Sequence, residues 1–240
     1  MGRILVIAGT DSSGGAGLSR DIAVATELGC TVAPVVTAVT VQTNQELRTI
    51  HPVPPDIIIA QIKAAFETDE LDCIKIGMLG DQATIDAICG VLGSKTPPIV
   101  FDPVLKSTSG GVLLSGENLS PLISITSVLT PNLDEAAQLS NRPFSDAPVD
   151  IATRAKVILG QGAKSVLIKG GHGGGVNCTD YLFSNGRSHT FSNPRLPQTK
   201  RGTGCSVATA IACHLARGAK LKQACGLAIA HVQSWMSSKV

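Results

Sequence analysis

The sequence predicts an α/β fold, with a mainly parallel central sheet flanked by helices on both faces and a small hairpin added at one edge. Three observations carry that expectation. Short apolar, β-branched runs alternate with segments of helical spacing, most of these runs end in glycine or polar residues, and one Asn185-Gly186 pair sits between two alternating stretches. Strands joined by helices run parallel, and a parallel sheet must be covered on both faces.

Arg3 to Ala8 reads as a buried strand that runs into Gly9-Thr10-Asp11-Ser12-Ser13-Gly14-Gly15-Ala16-Gly17, after which Leu18 to Leu28 has helical spacing. Thr31 to Val41 is a second β-branched run, ending at Gln42-Thr43-Asn44, and a proline-bounded helix is expected over Pro55 to Phe66. Cys73 to Ile76 and Ile99 to Phe101 read as short buried strands around a helix from about Asp81 to Leu92. Val128-Leu129 and Ser165 to Ile168 continue the pattern, with helices at Leu133 to Leu139 and Ile151 to Leu159. The hairpin spans Cys178 to Phe191, and two helices follow, one opening at Gly202-Thr203-Gly204-Cys205 and running toward Ala216, the other from about Leu221 to Met236. No linker, low-complexity tract or internal repeat interrupts residues 1–240, so one domain is the simplest organisation.

Composition narrows the function. With 43% hydrophobic and 16% charged residues the chain can bury a full core, and a formal charge of +2 is too balanced for a nucleic-acid footprint. A small-molecule site is expected. No uninterrupted apolar run approaches the roughly 18 residues of a membrane span, and the run after Met1 is too short for a secretory signal, so a soluble, cytoplasmic chain is expected. The seven cysteines (30, 73, 89, 178, 205, 213 and 225) include no CxxC pair, which argues against a disulfide framework or a zinc site. All but Cys205 read as small buried hydrophobes.

Ligands of open parallel sheets bind beyond the carboxyl ends of the strands, which directs the search to the segments just after each apolar run. Gly9 to Gly17 fits either an anion cradle or a purely geometric turn; neither a GxxxxGK[ST] loop nor a GxGxxG fingerprint is present, and Gly93-Ser94-Lys95-Thr96 lacks the spacing. Gly202 to Cys205 opens a helix, where exposed N–H groups suit phosphate and the terminal field would lower the Cys205 pKa; close packing of a buried cysteine is the alternative. Asn132 and Glu135, three residues apart, fit a hydrated Mg²⁺ or, more simply, a capping box. Lys169, before Gly170-Gly171-His172-Gly173-Gly174-Gly175, fits phosphate neutralisation or a solvated loop. His172 has no cluster of histidines around it. Met78 and Val104 read as core, whereas the Gln42 amide could read a heterocycle's edge.

AGTDSSGGAG at 8–17, VQTN at 41–44, KIGML at 75–79, DPV at 102–104, TPNLDEA at 130–136, KGGH at 169–172 and GTGC at 202–205 together resemble, in order and spacing, the hydroxymethylpyrimidine/phosphomethylpyrimidine kinases of thiamine biosynthesis. The resemblance covers nearly the whole chain. It implies a three-layer ribokinase-like fold and ATP- and Mg²⁺-dependent phosphorylation of 4-amino-5-hydroxymethyl-2-methylpyrimidine to its monophosphate and then its diphosphate. By similarity, Gln42 bonds the pyrimidine, with Gly9, Asp21, Met78 and Val104 lining its pocket. Cys205 takes the place of the catalytic base, the N–H groups of Gly202, Thr203, Gly204 and Cys205 form an anion hole, Lys169 and Asn132 serve ATP, and Asp102 and Glu135 match metal-associated positions. A homodimer is also implied.

The chain departs from the family pattern in places. Ser12 stands where proline is common. Thr199-Lys200-Arg201-Gly202 is two residues shorter than the usual form, with Arg201 where a histidine is common, and Lys106 is displaced from the usual lysine position, now near Thr108. These departures bear on the second phosphorylation and on substrate preference. The rival readings are a pyridoxal kinase of the same architecture and a non-catalytic vitamin- or nucleotide-binding relative.

Overall fold

The computed structural model describes residues 1–93, 96–106, 111–114 and 116–238. Thr108, and Ser94 and Lys95 of the Gly93–Thr96 segment, lie outside the described residues. In chain order the elements are β1 (Arg3–Ala8), α1 (Gly17–Glu27), β2 (Thr31–Val36), β3 (Ala38–Gln42), β4 (Leu47–Pro52), α2 (Pro55–Thr68), β5 (Cys73–Ile76), α3 (Gln82–Val91), β6 (Ile99–Phe101) and α4 (Ser120–Ile125). They continue with β7 (Val128–Leu129), α5 (Leu133–Leu139), α6 (Pro148–Gly160), β8 (Ser165–Ile168), β9 (Asn177–Ser184), β10 (Arg187–Pro194), α7 (Thr203–Ala216) and α8 (Leu221–Ser237).

One sheet organises the molecule, in the order β10-β9-β8-β7-β6-β5-β1-β2. β2, β1, β5, β6, β7 and β8 are mutually parallel, and only β9 and β10 run against their neighbours. Alternate residues of the buried strands feed two cores. Leu5, Ile7, Ile74, Ile76, Phe101 and Ile168 pack toward α2, α3, α5 and α6, while Ile4, Val6, Cys73, Val100 and Leu167 pack toward α1, α7 and α8. The edge hairpin turns at Asn185 (φ 51°) and Gly186 (φ 71°), the left-handed pair that a two-residue connection between twisted strands demands. All seven cysteines are unpaired. No helix among the described residues is long and apolar enough to cross a membrane.

The run expected from Thr31 to Val41 is not one strand. The chain leaves the sheet at Thr37, whose N–H donates to Ala8 O and whose hydroxyl donates to Met78 O at 2.7 Å, so β2 ends there. β3 then pairs antiparallel with β4 as a separate two-stranded sheet. β4 and α4 had no counterpart in the sequence reading, because β4 is exposed or half-buried along its length and α4 is short.

Chain order reverses at β1: the first crossover goes to β2 on one side, and the next sheet strand, β5, lies on the other. A crevice opens at such a switch point beyond the carboxyl ends of the two strands. Gly9 follows β1, Gly77 and Met78 follow β5, and the β3–β4 hairpin stands beside them.

Candidate active site

The crevice has an apolar side and a charged side. On the apolar side Met78, Ala38 and Leu113 form a cluster of their own, with Val104, Leu47 and Ile50 packed against it. A Cβ on Gly9 would lie 2.7 Å from Met78 Sδ, so glycine is what lets the first loop close on this cluster. The loop also lies along β3: Thr10 N–H donates to Ala38 O, Thr40 Oγ1 donates to Thr10 O at 2.8 Å, and Ser12 Oγ bonds both N–H (2.8 Å) and carbonyl (2.7 Å) of Gln42. Gln42 is thus fixed by its backbone. Its side chain is largely buried, and its amide has no protein partner among the described residues.

The charged side is built from the ends of β6, β7 and β8. Lys169 Nζ donates to Asp102 Oδ1 at 2.7 Å, and Thr130 Oγ1 donates to the same oxygen at 3.2 Å, so that among the described residues Asp102 Oδ2 has no hydrogen bond. Asn132 caps α5, accepting from Glu135 N–H at 2.9 Å, while Glu135 Oε2 accepts from Asn132 N–H at 2.8 Å. The capping box is therefore formed. Burial pushes the Glu135 carboxyl up to about 7, with Lys169 pulling it down and Asp102 pushing it further up. Burial disfavours the Lys169 charge, but the Asp102 and Glu135 carboxylates outweigh it and hold its pKa above the ordinary lysine value.

α7 joins the two sides. Gly202 precedes it at φ 75°, where a Cβ would overlap Gly15 O, so the turn presses directly on the first loop. A Cβ on Gly204 would lie 3.1 Å from Lys169 Nζ and 3.7 Å from Asp102 Oδ2. The first-turn N–H groups of Thr203, Gly204 and Cys205 have no acceptor within their helix and stand beside that ion pair, a place suited to anionic oxygen.

Two expectations need correction. Asp21 does not line the crevice: it has no solvent contact, taking Lys75 Nζ on Oδ2 at 2.7 Å and Thr209 Oγ1 on Oδ1 at 2.7 Å. Nor is the Cys205 thiol acidified. Burial pushes it up to about 11, against the pull of the Lys75 ammonium, because the cost of placing a thiolate there exceeds what nearby positive charge returns.

Lys75 is the functional candidate that the sequence reading passed over. It is fully buried in β5, behind the crevice, where burial opposes its charge and the Asp21 carboxylate more than compensates, holding its pKa above the ordinary value. A signal was available: a lysine at the third position of the otherwise apolar strand Cys73-Ile74-Lys75-Ile76 needs a buried partner. Arg195 was also missed. Its guanidinium donates to the carbonyls of Gly171 (2.7 Å) and Gly175 (3.1 Å), shaping the glycine loop after Lys169, and no local pattern reveals a contact spanning 24 residues.

The family described as phosphomethylpyrimidine kinase matches residues 11–240. A hydroxymethylpyrimidine/phosphomethylpyrimidine kinase of Rhizobium meliloti (strain 1021) is 36% identical over 239 residues, covering 98% of this chain and 90% of that relative. Among solved structures, the phosphomethylpyrimidine kinase of Clostridium difficile 630 superposes with a TM-score of 0.85 at 30% identity, covering 99% of this chain and 100% of the other. The pyridoxal kinase of Staphylococcus aureus in complex with pyridoxal gives 0.89 at 29% identity, over 99% and 89%. The fold is common to both activities, and the sequence match supplies the distinction: the chain belongs to the phosphomethylpyrimidine kinase family and is a phosphotransferase.

Proposed function

We propose that this protein uses ATP to phosphorylate 4-amino-5-hydroxymethyl-2-methylpyrimidine to the monophosphate and then to the diphosphate. The observation that carries the reading is the juxtaposition of an apolar pocket holding an unpartnered buried amide, Gln42, with the Lys169–Asp102 pair under the first turn of α7. Gln42 hydrogen-bonds the ring, Met78 and Val104 supply its apolar walls, and Gly9 lets the first loop close over it. Cys205 accepts the hydroxyl proton, and the N–H groups of Gly202 to Cys205 receive the charge developing on the transferred phosphoryl oxygens.

Lys169 and Asn132 contact the polyphosphate. Asp102 Oδ2, unbonded among the described residues, and the buried Glu135 carboxyl are hard oxygen donors that fit Mg²⁺. Among the described residues no group of three metal-ligating side chains exists, so a bound Mg²⁺ held by Asp102 and Glu135 would draw its remaining donors from phosphate oxygens and water. When bound, the ion neutralises negative charge on the nucleotide. The protein works as a cytoplasmic homodimer in this reading.

The testing experiment incubates the protein with Mg-ATP and the hydroxymethylpyrimidine, follows monophosphate and diphosphate separately by mass spectrometry, and runs pyridoxal in parallel. Both pyrimidine phosphates are expected. Turnover of pyridoxal alone would transfer the assignment to the other activity of this fold, and ligand binding without ADP release would make the protein a binder.

Arg195 gives a separate check on the nucleotide side. Arg195→Ala frees the carbonyls of the 170–175 loop and is expected to raise the KM for ATP about fivefold, with little change in the KM for the pyrimidine. Steady-state kinetics with each substrate varied in turn measures this, and an unchanged KM for ATP would remove the loop from the nucleotide site.

A further inference from the structure

The shortened approach to α7 carries two consecutive cations that leave it in opposite directions. Lys200 Nζ donates to the carbonyls of Trp235 (2.8 Å) and Ser238 (2.9 Å), fastening the loop to the end of α8. Arg201 turns the other way. Its Nη1 donates to Ser13 Oγ at 2.8 Å, Thr43 O at 2.8 Å and Asn44 Oδ1 at 3.3 Å, and its Nη2 lies 3.2 Å from Asp11 Oδ2. The side chains of this ion pair are 14% and 3% exposed, so water screens it little.

These contacts connect three segments that are distant in sequence. Asp11 and Ser13 belong to the first glycine loop, Thr43 and Asn44 to the turn between β3 and β4, and Gly202, the next residue after Arg201, opens the anion hole. The first two already touch through Ser12 and Gln42, and Arg201 ties both to the third. We propose that Arg201 is a positioning residue, holding the substrate loop and the β3–β4 turn in register with the first turn of α7. The ring pocket and the phosphoryl-transfer site then keep one spacing. A planar guanidinium directs its donors along fixed directions spread over three nitrogens, so it can reach a carboxylate, a hydroxyl and a carbonyl on separate segments more widely than the single nitrogen of an ammonium. Naming the pyrimidine as the affected substrate rests on the function proposed above; the mechanical link does not.

The test compares Arg201→Ala, Arg201→Lys and Asp11→Asn with the wild type by two-substrate kinetics and amide hydrogen exchange. In Arg201→Ala the KM for the pyrimidine is expected to rise about tenfold and the KM for ATP to stay within about twofold, since only one pocket loses its tie. Exchange should quicken at Thr43, Gln45 and Glu46, whose N–H groups are bonded inside the turn, and not in β5. Arg201→Lys should restore only part of this, and Asp11→Asn should shift it in the same direction by less. Wild-type KM and turn exchange in all three variants would overturn the proposal. So would faster exchange throughout the molecule with equal losses for both substrates, which is the mark of a general structural role. If the wild type turned over no pyrimidine, the functional reading would fall while the exchange data still decided the link.

Discussion

Cys205→Ala is expected to slow formation of the monophosphate about 10³-fold and formation of the diphosphate by no more than about tenfold. The two steps differ in their nucleophile. The hydroxymethyl group must lose a proton as it attacks, whereas the phosphate oxygen of the monophosphate is already anionic and needs only positioning and charge stabilisation, which the first turn of α7 and Lys169 still supply. The raised pKa of Cys205 adds a pH signature. A base acts when deprotonated, and with its thiol pushed up to about 11 the residue is mostly protonated near neutrality in the free enzyme. For the first step kcat/KM should therefore climb about tenfold per pH unit above neutrality, levelling only as pH approaches that value. Cys205→Ala should flatten the climb. Rapid-quench measurement of each product across pH checks both statements, and equal losses in the two steps would end Cys205's role as base.

Lys75→Met is expected to destabilise the fold by about 3–5 kcal/mol, because it strands the Asp21 carboxylate in a place without water. Asp21→Asn with Lys75→Met together should recover most of that loss, since neither charge is then buried alone. The pH dependence follows from burial, which raises the Asp21 carboxyl above its ordinary value. A group held above its unfolded pKa binds its proton more tightly when folded, so protonation favours the native state at low pH. That contribution disappears as pH rises through the folded value, and the single variant should be least stable at the alkaline end. Urea titrations of the wild type, Lys75→Met, Asp21→Asn and the double variant at several pH values measure the cycle. A loss below about 1 kcal/mol in the single variant would mean that Asp21 is not ionised beside Lys75.

Lys75 also acts on the Cys205 thiol. Its ammonium is the largest influence opposing the upward push on the Cys205 thiol, so a stable variant lacking it should bring the thiol into action only at still higher pH. The pair beneath the crevice thus links stability to the pKa of Cys205.

The strands and helices that carry the site were legible because they are local. Buried strands such as β1 and β5, the capped start of α5, and the Asn185-Gly186 turn each declare themselves within a few residues. The motif order then placed Gly9, Gln42, Met78, Asp102, Lys169 and Gly202 to Cys205 at the carboxyl ends of strands or the start of a helix; the parallel sheet brings the ends of β1, β5, β6 and β8 to one side, and the separate β3–β4 hairpin and α7 join them there. The break at Thr37 was not legible, because β2 and β3 share a composition and only hydrogen bonds to Ala8 and Met78 tell where one sheet stops.

The sequence by itself determined the α/β alternation and the edge hairpin, and it pointed to the segments that the fold gathers around one crevice, since periodicity and turn chemistry act over a few neighbouring residues. Only the tertiary structure decided that Asp21 faces Lys75 and not the substrate, that the Cys205 thiol is raised and not lowered, and that Arg201 spans three segments. Burial and electrostatics depend on what the rest of the chain brings within a few ångströms. A residue's spacing along the sequence does not contain that information.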